Sequence, residues 1–222
     1  MDLIKSINEV IQAKSPDLPR RYIGASSIGN PCEREIWYRF NDVQGESFPT
    51  TIQTTFEIGR RLEEMILDYI DLAALDLERA HPYNNHLFVQ DDEVLLFQGH
   101  MDGLLFAKSD HETVLEIKTC RDSSFKAFVS QGLQLWSPAY YAQLQSYLGM
   151  TGLSNGVLIA INKDTSELHQ EWVNFDEILY AELKQKAKRI SLACEPPDKI
   201  NKSPVYKICN RCKFKKICHG SE

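Results

Sequence analysis

Apolar side chains recur through the first part of the chain at the three-to-four-residue spacing of helices. Over residues 2–14, Leu3, Ile4, Ile7, Val10 and Ile11 form one stripe, which predicts an amphipathic helix because positions i, i+3 and i+4 share a face. The prolines Pro16 and Pro19 end it. A loop over residues 20–32 follows, in which Asn30-Pro31 reads as the N-cap and first residue of a short helix carrying Ile36, Trp37 and Phe40. After a loop at 45–49, residues 55–79 carry Phe56, Leu62, Met65, Ile66, Tyr69 and Leu72 at helical spacing, a long helix with a break allowed near Leu72.

From His81 the period shortens. Residues 87–89, 94–97, 101–106 and 113–119 are short apolar and β-branched runs, with turn residues at 91–92 and 108–111 between them, the pattern of an antiparallel meander. Helical spacing returns at 123–129 and 138–150, strands are expected at 156–162 and 167–174, and an amphipathic helix at 176–194. This alternation predicts an α/β fold, a mixed central sheet flanked by helices.

Charge narrows the function classes. With 31 acidic and 25 basic side chains the formal net charge is -6, so contact with a polyanion has to be local. The basic residues concentrate late: Lys184, Lys186, Lys188 and Arg189 on the last expected helix, then Lys199, Lys202, Lys207, Arg211, Lys213, Lys215 and Lys216. They read either as a track for phosphates or as a solvated face. No apolar run approaches the roughly 20 residues of a membrane span, and the first residues lack the order of a signal peptide, so a cytoplasmic protein is expected.

The chemistry-bearing residues lie on the expected hairpin. Residues i and i+2 of a strand share a face, so Glu116 and Lys118 point one way while Leu115 and Ile117 point into the core. A tight turn brings Asp102 beside Glu116, and two carboxylates that close repel unless a cation sits between them. Mg²⁺ or Mn²⁺ suits hard oxygen ligands, and Lys118 supplies a movable positive charge for a phosphate or an attacking water. Gln143 and Tyr147 stand four apart on the helix that follows, hence on one face.

Gly99-x-x-Asp102, Glu116-x-Lys118 and Gln143-x-x-x-Tyr147 together resemble the PD-(D/E)xK nuclease superfamily, and more narrowly its RecB-like branch. The resemblance implies a restriction-endonuclease-like core, a metal held by Asp102, Glu116 and the carbonyl of Ile117, and a Gln143/Tyr147 face that closes over the site and contacts the DNA backbone. RecB-like nucleases carry an upstream histidine in G-x-x-x-H, where this chain has Gly59-Arg-Arg-Leu-Glu63. Glu63 either serves as an oxygen ligand, as in relatives of the lambda-exonuclease kind, or is a solvated surface carboxylate.

Six cysteines are too many for disulfides in a reducing compartment, and Cys209-x-x-Cys212-x5-Cys218 is a compact ligand set with Cys32 far upstream. One N-terminal and three C-terminal cysteines with acidic motifs between them look like the CRISPR-associated exonucleases of the Cas-four type and the AddB-type nucleases, which implies a [4Fe-4S] cluster on Cys32, Cys209, Cys212 and Cys218. Zinc is the rival occupant. Cys120 and Cys194, at the ends of a strand and a helix, are expected to be buried small hydrophobes. His100 shares a strand face with Asp102, and His81, His86, His111, His169 and His219 carry no assigned chemistry. Trp136, Tyr140 and Tyr141 either stack on unpaired bases or pack a helix start.

The expectation is therefore one nuclease domain over 1–222: a helical part at 1–80, the catalytic sheet and bridging helix at 81–174, and a helix with the cysteine-rich segment at 175–222. It would hydrolyse DNA, as single strands or ends, with partners from recombination, end processing or CRISPR-type adaptation. A non-catalytic DNA-binding adaptor and a zinc-stapled structural protein are the readings from other classes.

Overall fold

The apolar runs in the middle of the chain pair into two sheets, and the break between them positions the chemistry. The structure is a computed structural model and describes residues 2–14, 21–73, 75–79, 87–106 and 112–220. In chain order the first part comprises α1 (Leu3–Lys14), β1 (Ile23–Gly24), α2 (Ala25–Ile28), α3 (Glu33–Phe40) and α4 (Thr50–Leu72). The middle comprises β2 (Asp76–Arg79), β3 (Phe88–Gln90), β4 (Phe97–His100), β5 (Gly103–Phe106) and β6 (Glu112–Cys120). Then come α5 (Asp122–Gln131), α6 (Leu133–Trp136), α7 (Pro138–Thr151), β7 (Asn155–Asn162), β8 (Leu168–Asn174), α8 (Glu177–Leu192) and α9 (Lys215–His219). Among the described residues no helix is long and apolar enough to cross a membrane.

The larger sheet has the order β2-β5-β6-β7-β8, with β6 and β7 parallel and the other neighbours antiparallel. The smaller has the order β1-β4-β3. The expected meander therefore does not exist as one sheet: β3 and β4 pair in one, β5 and β6 in the other, and the chain changes sheets at Met101-Asp102. Alternation along β6 sorts the two cores. Leu115 and Ile117 join Val157, Ile161 and the α4 residues Ile66 and Ile70 on one face. Val114 on the other face joins Leu158, Ala160 and the α7 residues Leu144, Tyr147 and Leu148.

Three local expectations are corrected. Asn30-Pro31 does not open the short helix; Cys32 caps it, and the Asn30 side-chain oxygen accepts from the Cys32 N–H at 2.9 Å. The long helix runs Thr50–Leu72, and the stretch expected to extend it to residue 79 is instead β2, whose backbone groups pair with β5. The stripe on α1 does not face a core: Leu3, Ile4, Ile7 and Val10 are exposed beside α4.

The late segment is tied back to the early one by directional contacts. Trp37 Nε1 donates to the Ala193 carbonyl at 2.8 Å, Arg34 Nε to the Pro197 carbonyl at 2.6 Å, and the Glu46 N–H to the Lys213 carbonyl at 2.8 Å. Phe214 is fully buried with its ring 5.2 Å from that of Tyr38. A Cβ on Gly45 would sit 3.0 Å from the Phe214 ring, so the absence of a side chain there lets the tail approach.

Candidate active site

Register sets the centre of the site. Gly103 of β5 pairs with Leu115 of β6, so the residue before β5, Asp102, falls opposite Glu116, where the ladder has ended. The free edge of β6 is then open to side chains: the Ile117 N–H donates to Asp102 Oδ2 at 2.7 Å. The N–H and C=O of one strand residue leave on the same side, so the Ile117 carbonyl faces the same edge.

Glu116 and Lys118 project from β6 toward α7. Glu116 is fully buried; its Oε1 accepts from Gln143 Nε2 at 2.6 Å and from Lys118 Nζ. Its Oε2 is buried with no hydrogen-bond partner. Gln143 Nε2 also lies 3.0 Å from the Tyr147 hydroxyl, which donates to the His100 carbonyl at 2.6 Å. Gly99 makes this possible, since a Cβ there would stand 2.5 Å from the Tyr147 ring. The expected face contacting DNA is corrected by burial: Gln143 and Tyr147 lie inside, beneath Glu116, and fix its position.

Glu63 comes from α4, which rides close over β6: a Cβ on Gly59 would meet Thr119 Oγ1 at 3.3 Å. Burial and then the charge of Asp102 push Glu63 up to about 7. The same causes, in the same order, push Glu116 up to about 8. Burial also raises Asp102, against Lys118 and the Ile117 N–H. For Lys118 burial works downward, but Glu116 and Asp102 outweigh it and the ammonium is held more firmly charged than usual. Its Nζ lies 5.4 Å from the Tyr140 ring centroid, a contact that sequence spacing does not signal.

Buried Glu116 with its orphaned oxygen, and half-buried Asp102 and Glu63 beside it, form a site short of positive charge. Among the described residues no three His, Cys, Asp or Glu side chains are already arranged around one ion; Lys118 takes the Glu116 oxygen that Gln143 also holds. The donor set is nonetheless all hard oxygen, and the unpaired Oε2 is an atom a divalent cation would satisfy.

The other candidates sort clearly. Trp136 stacks on Phe128 at 4.6 Å between centroids and donates to Ser124 Oγ, Tyr140 rests against Trp136, and Tyr141 is half-buried, so all three pack the fold. His100 is exposed, with its ring beside Phe88. His169 packs against Phe128, while His81, His86 and His111 lie outside the described residues. Several late cations are structural ties: Lys186 Nζ donates to the Ile28 and Asn30 carbonyls, each at 2.7 Å, and Arg189 and Lys216 pair with Glu33 and Glu46.

Cys32, Cys209, Cys212 and Cys218 line one cavity of about 20 Å³, together with Glu35 and His219. All four are free thiols. Burial and then the Glu35 charge push the Cys212 thiol up to about 12, and burial raises Cys209. Four sulfur donors around one cavity are the donor types that a cationic sulfur-binding occupant would take as thiolates, though no three of them already stand around one ion position. Of the two cysteines outside this set, Cys120 is buried as expected, but Cys194, two residues past the end of α8 at Leu192, is exposed.

No protein-family model matches the chain, and no curated protein sequence matches it. Solved structures do. An alkaline exonuclease from Laribacter hongkongensis, LHK-Exo, superposes with a TM-score of 0.57 at 16% identity, covering 82% of this chain and 90% of that one. The same enzyme in complex with dAMP gives 0.57 at 15%, covering 78% and 88%. The protein SSO0001 gives 0.59 at 17%, covering 98% and 96%. A phage-related exonuclease from Haemophilus somnus 129PT gives 0.53 at 13%, covering 77% and 92%. At these identities the likeness establishes the fold alone: the chain shares the α/β core of these structures.

Proposed function

We propose that the chain is a divalent-metal-dependent deoxyribonuclease of the RecB-like kind, an exonuclease acting on single strands or DNA ends. The observation that carries this reading is the meeting of half-buried Asp102 and Lys118 at buried Glu116, with Glu63 in their field and one Glu116 oxygen unpaired. Its biological setting would be recombination, end processing or CRISPR-type adaptation in the cytoplasm, and a [4Fe-4S] cluster on Cys32, Cys209, Cys212 and Cys218 would staple the ends of the domain.

Asp102, Glu116 and the Ile117 carbonyl would hold Mg²⁺ or Mn²⁺, with Glu63 closing the set from α4. When bound, the cation supplies Lewis acidity at the scissile phosphate and eases deprotonation of the attacking water. The chain's own residues do the positioning. Gln143 fixes one oxygen of Glu116 and leaves the other unpaired. Tyr147 anchors Gln143 to the His100 backbone. Lys118, held charged by its carboxylate neighbours, exchanges its place on Glu116 for the phosphate or the attacking water and offsets the charge that builds there.

The test is cleavage of end-labelled single-stranded and duplex DNA by anaerobically purified protein in Mn²⁺, Mg²⁺ or chelator, beside Glu116→Ala. Cleavage that needs the metal and disappears in Glu116→Ala is the expected result, and the product ladder then gives polarity. No cleavage by cluster-loaded protein with any metal would replace this reading with that of a non-catalytic DNA-binding adaptor.

A further inference from the structure

We infer that His219 is a fifth working side chain of the cysteine pocket, donating its Nε2–H to a sulfur of the iron–sulfur cluster. This rests on the cluster part of the function proposed above. Two observations carry it. His219 lines the same pocket as Cys32, Cys209, Cys212 and Cys218. Its Nε2 is buried and has no hydrogen-bond partner, whereas buried polar atoms in folded proteins are paired as a rule.

Local structure places His219 at the pocket. His219 ends α9 directly after Cys218, so the backbone that delivers the last thiol delivers the imidazole as well. The nearby carboxylate is already engaged: Glu35 Oε1 accepts from Arg39, and Oε2 accepts from Asn30 Nδ2 at 2.9 Å. The partner missing from the protein is therefore an acceptor inside the pocket. Four thiolates satisfy the four irons of a cubane, which leaves the imidazole as a donor to sulfur, not a ligand to iron. Such a bond draws electron density from the cluster and raises its reduction potential relative to a pocket without it.

The experiment uses full-length protein purified anaerobically, as wild type, His219→Phe and His219→Gln, with iron and acid-labile sulfide counted per chain. Midpoint potentials are read by spectroelectrochemical titration, and pulsed paramagnetic resonance of the reduced cluster is recorded after [15N]histidine labelling. Phenylalanine fills the space without a donor, and glutamine restores one. The expected result is a lower potential in His219→Phe, recovery in His219→Gln, and a weak nitrogen coupling that His219→Phe abolishes. Equal potentials in the cluster-loaded proteins, with no coupling to lose, would overturn the inference alone. A coupling of the strength of a direct iron–nitrogen bond would also overturn it, making His219 a ligand. Colourless wild type carrying stoichiometric zinc would overturn the cluster reading itself, and the inference with it.

Discussion

The carboxylate centre and the cysteine pocket are built in opposite ways. Asp102, Glu116 and Lys118 lie within one hairpin, and strand register places them before any ligand arrives. Their surroundings are core: Glu116 and Tyr147 are buried between β6 and α7, and Leu115 and Ile117 pack on the far side. The cysteine pocket joins Cys32 to residues more than 170 positions later, in a segment whose buried apolar anchors are Cys209 and Phe214. The sheet holds the first site in place by itself. The second would lean on the proposed cluster, since so short a segment buries too little to hold itself in place.

The largest effect should come from the first site. Glu116→Gln keeps the shape of the side chain but removes its charge, so cleavage should fall by about 10²–10⁴-fold. The folded state should be retained, as circular dichroism and thermal melting would show. Loss of folding in this variant would mean that the centre is not preorganised by its scaffold, and the contrast would collapse.

The second site should respond in the reverse manner. Cys209→Ala should lose bound iron and lower the Tm by about 5–10 °C, the equivalent of roughly 2–3 kcal/mol at this chain length. Limited proteolysis should then cut within residues 195–220 while the sheet remains protected. A variant that keeps its melting temperature and resists protease would show that the ties through Trp37, Arg34 and Glu46 hold the tail unaided.

The two sites also differ in how far they could be read from the chain. Glu116-x-Lys118 and Gln143-x-x-x-Tyr147 were legible because their spacing is itself the geometry: two along a strand, four along a helix. The break at Met101-Asp102, the pairing of β2 with β5 and the insertion of β1 beside β4 were not, because strand pairing is decided by distant partners. The burial of Gln143 and Tyr147 escaped for another reason. α7 is buried around most of its surface, including Gln145, whose amide donates to the Asn174 carbonyl and whose Oε1 accepts from the Asp176 N–H. A helix packed on several sides shows no clean polar face to read. The cysteine spacing suggested a ligand set but gave no hint of His219, whose interest appears only once it is found in the pocket lining with a buried, unpartnered nitrogen.

Proton linkage sharpens the contrast further. Without metal, Glu116 titrates at about 8 and Glu63 at about 7, both above the ordinary 4.5. A carboxyl whose folded pKa is raised stabilises the fold in its protonated form. That contribution is complete below about pH 4.5 and is lost as pH rises through 7 and 8. In chelator, Tm should therefore fall by several degrees between pH 5 and 8.5. Mn²⁺ should oppose the fall most at the alkaline end, where the ligands have lost their protons. Glu116→Gln should flatten the profile, and a flat profile in the wild type would show that the carboxyls do not interact as their burial implies.

Tyr147→Phe should do less. It removes the donor to the His100 carbonyl and the hydroxyl beside Gln143 Nε2, for about 1–2 kcal/mol of stability. Activity should drop by about 10-fold, the usual scale for a group that orients a ligand. The loss should fall on kcat more than on KM, because a buried tyrosine does not touch the strand; a change confined to KM would restore a direct contact with DNA.

The smallest effect separates the cysteines themselves. Cys194 is exposed and stands outside the shared pocket, while Cys120 is buried at the end of β6. Cys194→Ser exchanges one small side chain for another in water and should change stability by less than about 0.5 kcal/mol. Iron and sulfide content should stay at the wild-type level. Cys120→Ser places a hydroxyl where β6 ends against the core and should cost somewhat more, again without loss of iron. If Cys194→Ser removed iron, the tail would have to rearrange so that α8 delivered a ligand. The pocket formed by Cys32, Cys209, Cys212 and Cys218 would then not be the occupied state.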